Sequence, residues 1–125
     1  MLTIRDEQAA RIEAAALERF ARALLPGLRR AWPSRCAGVS DAELLDDLVD
    51  GLRTARGAGL TGRDAMTTFA HLRVRFGYRF PHPPAFAWAH AVLADPRLDA
   101  DAKLARLADC IRRGAGAGWS GPAEG

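Results

Sequence analysis

The chain has 125 residues, 49% apolar and 26% charged, which suits one compact domain around a shared core and is too short for two. Folding at this size buries roughly two-thirds of the unfolded surface, so neither a disulfide nor a structural metal is required. No apolar run approaches the ~20 residues that cross a bilayer, and the opening MLTIRDEQ turns charged too early for a secretory signal. A soluble, cytoplasmic protein without membrane contact is therefore expected.

Eighteen basic residues face fifteen acidic ones for a net charge of +3, and every basic residue but Lys103 is Arg. That excess is too small to mark a nucleic-acid binder. The charges are nevertheless segregated along the chain: residues 1–40 carry seven Arg against four acids, residues 41–60 five acids against two Arg, and residues 61–82 are basic again. Such segregation favours docking to a protein with complementary patches. Cys36 and Cys110 lack CxxC spacing and read as unpaired thiols packed as small core residues.

Five helices are expected in chain order. Thr3 and Asp6 open a long amphipathic segment in which Ile12, Ala16, Phe20, Leu24 and Leu28 recur every four residues, widened by Ala9, Leu17 and Ala23. Pro26-Gly27 predicts a kink or break there, because an interior Pro removes a backbone bond and crowds the preceding turn, and Pro33 closes the segment. Ser40 and Glu43 have the spacing of a capping box and start a second helix with Leu44, Leu45, Leu48, Val49 and Leu52 on its buried stripe, ending near Gly57 or Gly59. Thr61 and Asp64 repeat the start signal for a third, with Met66, Phe69, Ala70, Leu72 and Phe76 apolar and Gly77 as its stop. YRFPHPPAF has three prolines in four residues and predicts an extended connector. A short fourth helix from about Ala85 to Ala94 carries Phe86, Ala89, Val92 and Leu93, and Asp99 caps a fifth bearing Leu104, Leu107, Ala108 and Ile111 up to Arg113. The expected architecture is an all-α single bundle over residues 1–113, followed by a flexible Gly-rich tail over 114–125.

Little in the sequence points to chemistry. His71, His82 and His90 fit no compact zinc spacing, and neither cysteine is near enough to complete one, so half-buried or surface histidines and no metal or other cofactor are expected. Asp41, Glu43, Asp46, Asp47 and Asp50 crowd the start of the second helix, where the helix dipole favours carboxylates; they read as a solvated face, or as an acidic patch for an Arg-rich partner or a second copy of the chain. Arg73, Arg75 and Arg79 interleave with Phe76, Tyr78 and Phe80 and run towards Phe86, a mixture that suits a protein interface or, less well, nucleic-acid stacking. These seven residues are the candidate partner-binding set; no catalytic residues are expected. Trp88 reads as core, while Trp32 before a proline and Trp119 in the Gly-rich tail have no local cover.

The opening MLTIRDEQ, the helix end WPSRC, the stretch from SDAEL to GAGLTGRDAM, and FAWAHAVLADP followed by KLARLAD together resemble a group of small helical bacterial proteins encoded beside type VI secretion genes, including those for spike-tip and polymorphic-toxin effectors. Members of that group carry an IRxEQ start, an FPxxC helix end, a YG(I/F)xxE turn into the third helix and a PWAxxILxD segment. The likeness covers roughly residues 1 to 113 and departs from the pattern at RFGYRFPHPPAF, which replaces a more acidic connector. It implies a non-enzymatic accessory, adaptor or chaperone-like protein whose partner is a secretion effector or spike protein, with an immunity protein of a toxin pair as a close variant. A homodimer is compatible with it. A small Arg-rich nucleic-acid-binding regulator, with the second and third helices as a loose helix-turn-helix, is the alternative from another class.

Overall fold

The structure is a computed structural model that describes residues 4–115, with side chains from Glu13 onward. The tail beyond Ala115, including Trp119, and the side chains of Ala9 and Ile12 lie outside the described residues. Among the described residues the chain is all-α, and its helices are α1 (Ile4–Ala31), α2 (Pro33–Cys36), α3 (Asp41–Gly57), α4 (Arg63–Phe76), α5 (Ala87–Leu93) and α6 (Ala100–Arg112). The extra helix relative to the expected five is the single turn α2, which begins at Pro33 because a proline suits the first helical position.

Pro26 does not break α1. It sits on the exposed side of the helix, where water can satisfy the carbonyl it leaves free, while Leu25 and Leu28 on either side are buried and hold the helix to its neighbours. The buried stripe is also rotated from the one the four-residue repeat suggested. Leu17, Ala21, Leu25 and Leu28 face inward, Phe20 and Leu24 are half-buried at its edge, and Ala16 and Ala23 are exposed.

The capping box forms as read. The Ser40 Oγ accepts from the Glu43 N–H at 3.1 Å, and Glu43 Oε1 accepts from the Ser40 N–H at 3.1 Å. α3 ends at Gly57, with Gly59 in the left-handed region that a side chain would disfavour (φ 90°). α4 instead starts one residue later than its signal suggested. Gly62 is its N-cap and contributes no side-chain bond, so Thr61 lies outside the helix. Asp99 does cap α6, accepting from the Ala102 N–H at 2.8 Å.

The interior is divided between two apolar clusters, not gathered into one. The first lies between α1, α2, α3 and α4 and holds Leu28, Leu44, Leu48, Leu52, Ala70 and Val74. The second lies between the end of α3, α4, α5, α6 and the connector, around Phe69, Phe76, Phe80, Phe86 and Leu107. α3 and α4 contribute to both and form the spine of the molecule. Lys103, the only lysine, is buried and ties α6 to that spine: its Nζ donates to the Ala58 carbonyl at 2.7 Å, a cation placed where the α3 dipole ends in negative charge. Cys36 belongs to the first cluster and Cys110 packs against the second, both as free thiols. Burial pushes the Cys36 thiol up, opposed by the charge of Arg29.

Between α5 and α6, Asp95 turns the chain. Its Oδ1 accepts from the Arg97 backbone N–H at 2.9 Å and from Nε at 3.0 Å, while Oδ2 takes Nη2 at 2.9 Å. These bonds, the Arg97 side chain first, hold the Asp95 carboxyl down to about 2 from its ordinary 3.8. A carboxyl whose value is lower in the folded state stabilises the fold above the unfolded value, and that contribution fades as pH falls through the folded one. Asp95→Asn should therefore be less stable than the parent at pH 6 in urea denaturation. The difference should shrink between about pH 4 and pH 2, the interval between the ordinary and depressed values.

Candidate partner-binding surface

The segment RFGYRFPHPPAF does not extend. Gly77 ends α4 at φ 100° with its N–H on the Arg73 carbonyl, and successive turns follow: the Phe80 N–H donates to the Gly77 carbonyl at 3.0 Å and the Phe86 N–H to the His82 carbonyl at 3.2 Å. The peptide bonds before Pro81 and Pro84 are cis. Three prolines remove the donors that a strand or helix would need, but turns recruit the N–H groups between them. The folded-back path carries Phe80 and Phe86 inward.

Four of the seven residues expected on the docking surface are consequently buried. Phe76, Phe80 and Phe86 form an aromatic cluster with ring centroids 5.3 to 5.6 Å apart, and Trp88 closes it edge-on to Phe76 at 5.9 Å. The rings meet tilted or edge to face in several pairs, arrangements that add about 0.5–1.5 kcal/mol per pair to the burial itself. Trp88, expected in the core, is half-buried and packs against the cluster from its edge, and its Nε1 is buried without a hydrogen-bond partner.

Arg73 is the fourth, 2% exposed. On α4 it falls between Phe69 and Phe76, which face the second cluster, and Ala70 and Val74, which face the first. All three nitrogens of its guanidinium donate: Nη2 to Asp47 Oδ1 at 2.8 Å and to Asp50 Oδ2 at 3.0 Å, Nε to Asp47 Oδ1 at 3.2 Å, and Nη1 to the Phe80 carbonyl at 3.1 Å. The stem reaches these partners by crossing α3 at Gly51, where a Cβ would stand 3.2 Å from Arg73 Cγ. Two signals for this arrangement were present in the sequence: an Arg on the apolar face of its helix, and a glycine in the apolar face of the preceding one, beside Asp47 and Asp50. Neither says which carboxylates the Arg would meet.

Asp41, Glu43, Asp46 and Asp50 of the acidic group on α3 are exposed, as a solvated face requires, but most of the group is also engaged within the fold. Asp47 and Asp50 pair with Arg73, Asp41 takes Arg29 at 2.7 Å, and Glu43 is spent on the capping box, its carboxyl lowered first by the Ser40 backbone N–H. Arg56 likewise reaches back to Glu13 on α1 at 2.8 Å.

Arg75, Tyr78 and Arg79 remain exposed. Tyr78, at 64%, is the exposed large apolar side chain of the described residues. The Arg79 guanidinium lies over its ring at 5.7 Å and Nε donates to its Oη at 3.4 Å, while Arg75 stacks over Phe76 at 5.1 Å. Tyr78 borders two hollows. One, of about 280 Å³, is lined by Val39, Leu44, Val74 and Gly77 with Arg35, Glu43, Asp47 and Arg73. The other, of about 370 Å³, is lined by Arg79, His82, Pro83, Pro84 and Ala85.

The histidines are dispersed. His71 is half-buried and its Nδ1 accepts from Trp32 Nε1 at 3.0 Å, which gives that tryptophan the cover its position in the sequence lacked. His82 and His90 are exposed and border a hollow of about 220 Å³ beside the end of α3. Among the described residues no group of three or more His, Cys, Asp or Glu could hold a metal ion. No helix there is long and apolar enough to cross a membrane. No family model matches the chain, and neither a curated protein nor a solved structure does.

The Arg73 site generates two predictions. Arg73→Ala strands two carboxylates and the Phe80 carbonyl; because Asp47 and Asp50 keep some water, the expected loss is about 2–4 kcal/mol in chemical denaturation, at the low side of a fully buried pair. Gly51→Ala should destabilise by about 1–2 kcal/mol although alanine is the better helix former by about 1 kcal/mol, since Arg73 is held at its far end and cannot yield. A more stable Gly51→Ala variant in the same measurement would show that the stem has room to move.

Proposed function

We propose that the chain is a non-enzymatic accessory protein, an adaptor or chaperone-like factor, that binds a partner protein through the turn carrying Tyr78. The observation that carries this reading is the exposure of Tyr78 on an anchored turn. In the free protein the ring meets the Arg79 guanidinium and is otherwise largely open to water, while the Gly77 N–H on the Arg73 carbonyl and the Phe80 carbonyl on the Arg73 guanidinium fix the backbone on both sides of it. Tyrosine and arginine dominate the energetic centres of protein interfaces because they combine wide contact area with polar ends. A surface whose anchor is already positioned loses little entropy on binding.

The partner in this reading is an effector or spike protein of a bacterial type VI secretion apparatus, on the strength of the chain's resemblance to small proteins encoded beside such genes. The exposed groups then hold the effector until it is loaded. Co-expression with the effector encoded next to its gene should yield a complex that survives purification. Tyr78→Ala should weaken it by about 2 kcal/mol or more, some thirtyfold in Kd by titration calorimetry, with unchanged thermal stability of the free protein. An effector that is soluble and secreted normally without this chain overturns the proposal. Protection from the effector's toxicity without any effect on its secretion would reassign the protein as an immunity factor.

A further inference from the structure

The two hollows beside Tyr78 differ in charge, and that difference defines what can lie across them. The hollow under the connector has no carboxylate in its lining; its ionisable groups are Arg79 and His82, both exposed, and its floor is the pair Pro83-Pro84. Proline has no N–H to donate, so that pair presents its ring carbons and carbonyl acceptors only. Arg79 is held by stacking on Tyr78 and makes no ion pair among the described residues. A guanidinium oriented in this way presents its fork to a carboxylate with little further ordering. On the opposite side of Tyr78 the lining is of mixed charge, with Glu43 and Asp47 beside Arg35 and Arg73.

We infer that these hollows bind an extended segment of a partner polypeptide, with an apolar side chain against Pro83-Pro84 and Tyr78 and an acidic residue on Arg79. The inference rests on the reading of the Tyr78 turn as a protein-binding surface and adds the chemistry of what binds. At about 280 and 370 Å³ the hollows lie at the lower end of the ~300–1,000 Å³ of small-molecule sites, a size that suits one or two side chains. A nucleic-acid strand fits less well. Its phosphates recur at every step and call for cations along the whole path, whereas beyond Tyr78 the cations Arg35 and Arg73 are balanced by Glu43 and Asp47; a peptide needs a carboxylate at one position only.

A phage-displayed library of random twelve-residue peptides, panned against the full chain, tests this directly. Enriched sequences should carry Asp or Glu within three positions of Leu, Phe, Trp or Tyr. A fluorescein-labelled copy of an enriched peptide should bind at least tenfold more weakly, by polarisation, to Tyr78→Ala and to Arg79→Glu, and with unchanged affinity to the exposed-site control Arg53→Glu. Panning against Arg79→Glu should shift the enriched peptides from acidic to basic, a reversal that a structural role for Arg79 would not produce. Enrichment without acidic residues, or affinity indifferent to Arg79→Glu, overturns the inference. So does tight binding of a thirty-nucleotide single strand that Tyr78→Ala abolishes. Self-association by sedimentation that Tyr78→Ala abolishes would make a second copy the occupant, and a tenfold gain in peptide affinity on deleting residues 116–125 would make it the chain's own Trp119 segment; either result also overturns it. If the effector complex forms and depends on Tyr78 but tolerates Arg79→Glu, the docking surface stands and only the acidic chemistry falls.

Discussion

A buried guanidinium is costly unless its nitrogens find acceptors, and Arg73 finds them on two separate parts of the chain. Asp47 and Asp50 supply countercharge from α3, and the Phe80 carbonyl supplies a neutral acceptor from the turn beyond α4. Gly51 supplies the passage. Desolvating such a charge can offset most of what its ion pairs contribute, so the net gain over a well-packed apolar residue is small. What the arrangement does strongly is exclude alternatives. Sliding α4 against α3, or letting the connector swing out, would strand a cation in an apolar interior.

The consequence for function lies in the third bond. Phe80 is gripped twice, through its carbonyl by Arg73 and through its ring by Phe76 and Phe86. Tyr78 and Arg79 stand just before it in sequence and are thereby displayed from a fixed piece of backbone. The proposed binding surface and the buried Arg73–Phe80 bond thus share one turn. A similar economy applies to the charges. Segregated along the sequence, they are mated across the fold, with Arg29 on Asp41, Arg56 on Glu13 and Arg73 on Asp47 and Asp50. Their alternation therefore records which helices pack together as much as any outward affinity, and the proposed docking surface rests on the exposed cations beside Tyr78.

Local readings succeeded where local physics decides. Ser40 with Glu43, Asp99, Gly57 and Gly77 mark helix ends because their bonds or backbone angles involve neighbours within a few residues. They failed where distant groups intervene. The Phe residues of the connector were expected outside because prolines forbid a helix there, but turns can aim side chains inward as well as a helix can. Pro26 was expected to kink or break α1, and it does not break it, since the packing of Leu25 and Leu28 outweighs one missing bond on the wet side. Of the seven candidate surface residues, Arg75, Tyr78 and Arg79 are on the surface; the others belong to the interior that supports them.

By itself the sequence determined an all-α chain, the positions of most helix ends, and the stretch in which arginine and aromatic residues gather, since periodicity and capping act over one or two turns. Only the tertiary structure decided which of those residues face water. Helical spacing distinguishes faces of one helix, but it does not say which face meets a neighbour or which carboxylate waits there. For Arg73 the answer depended on a glycine and two aspartates on another helix and a carbonyl seven residues away, a coincidence that exists only once the chain has folded.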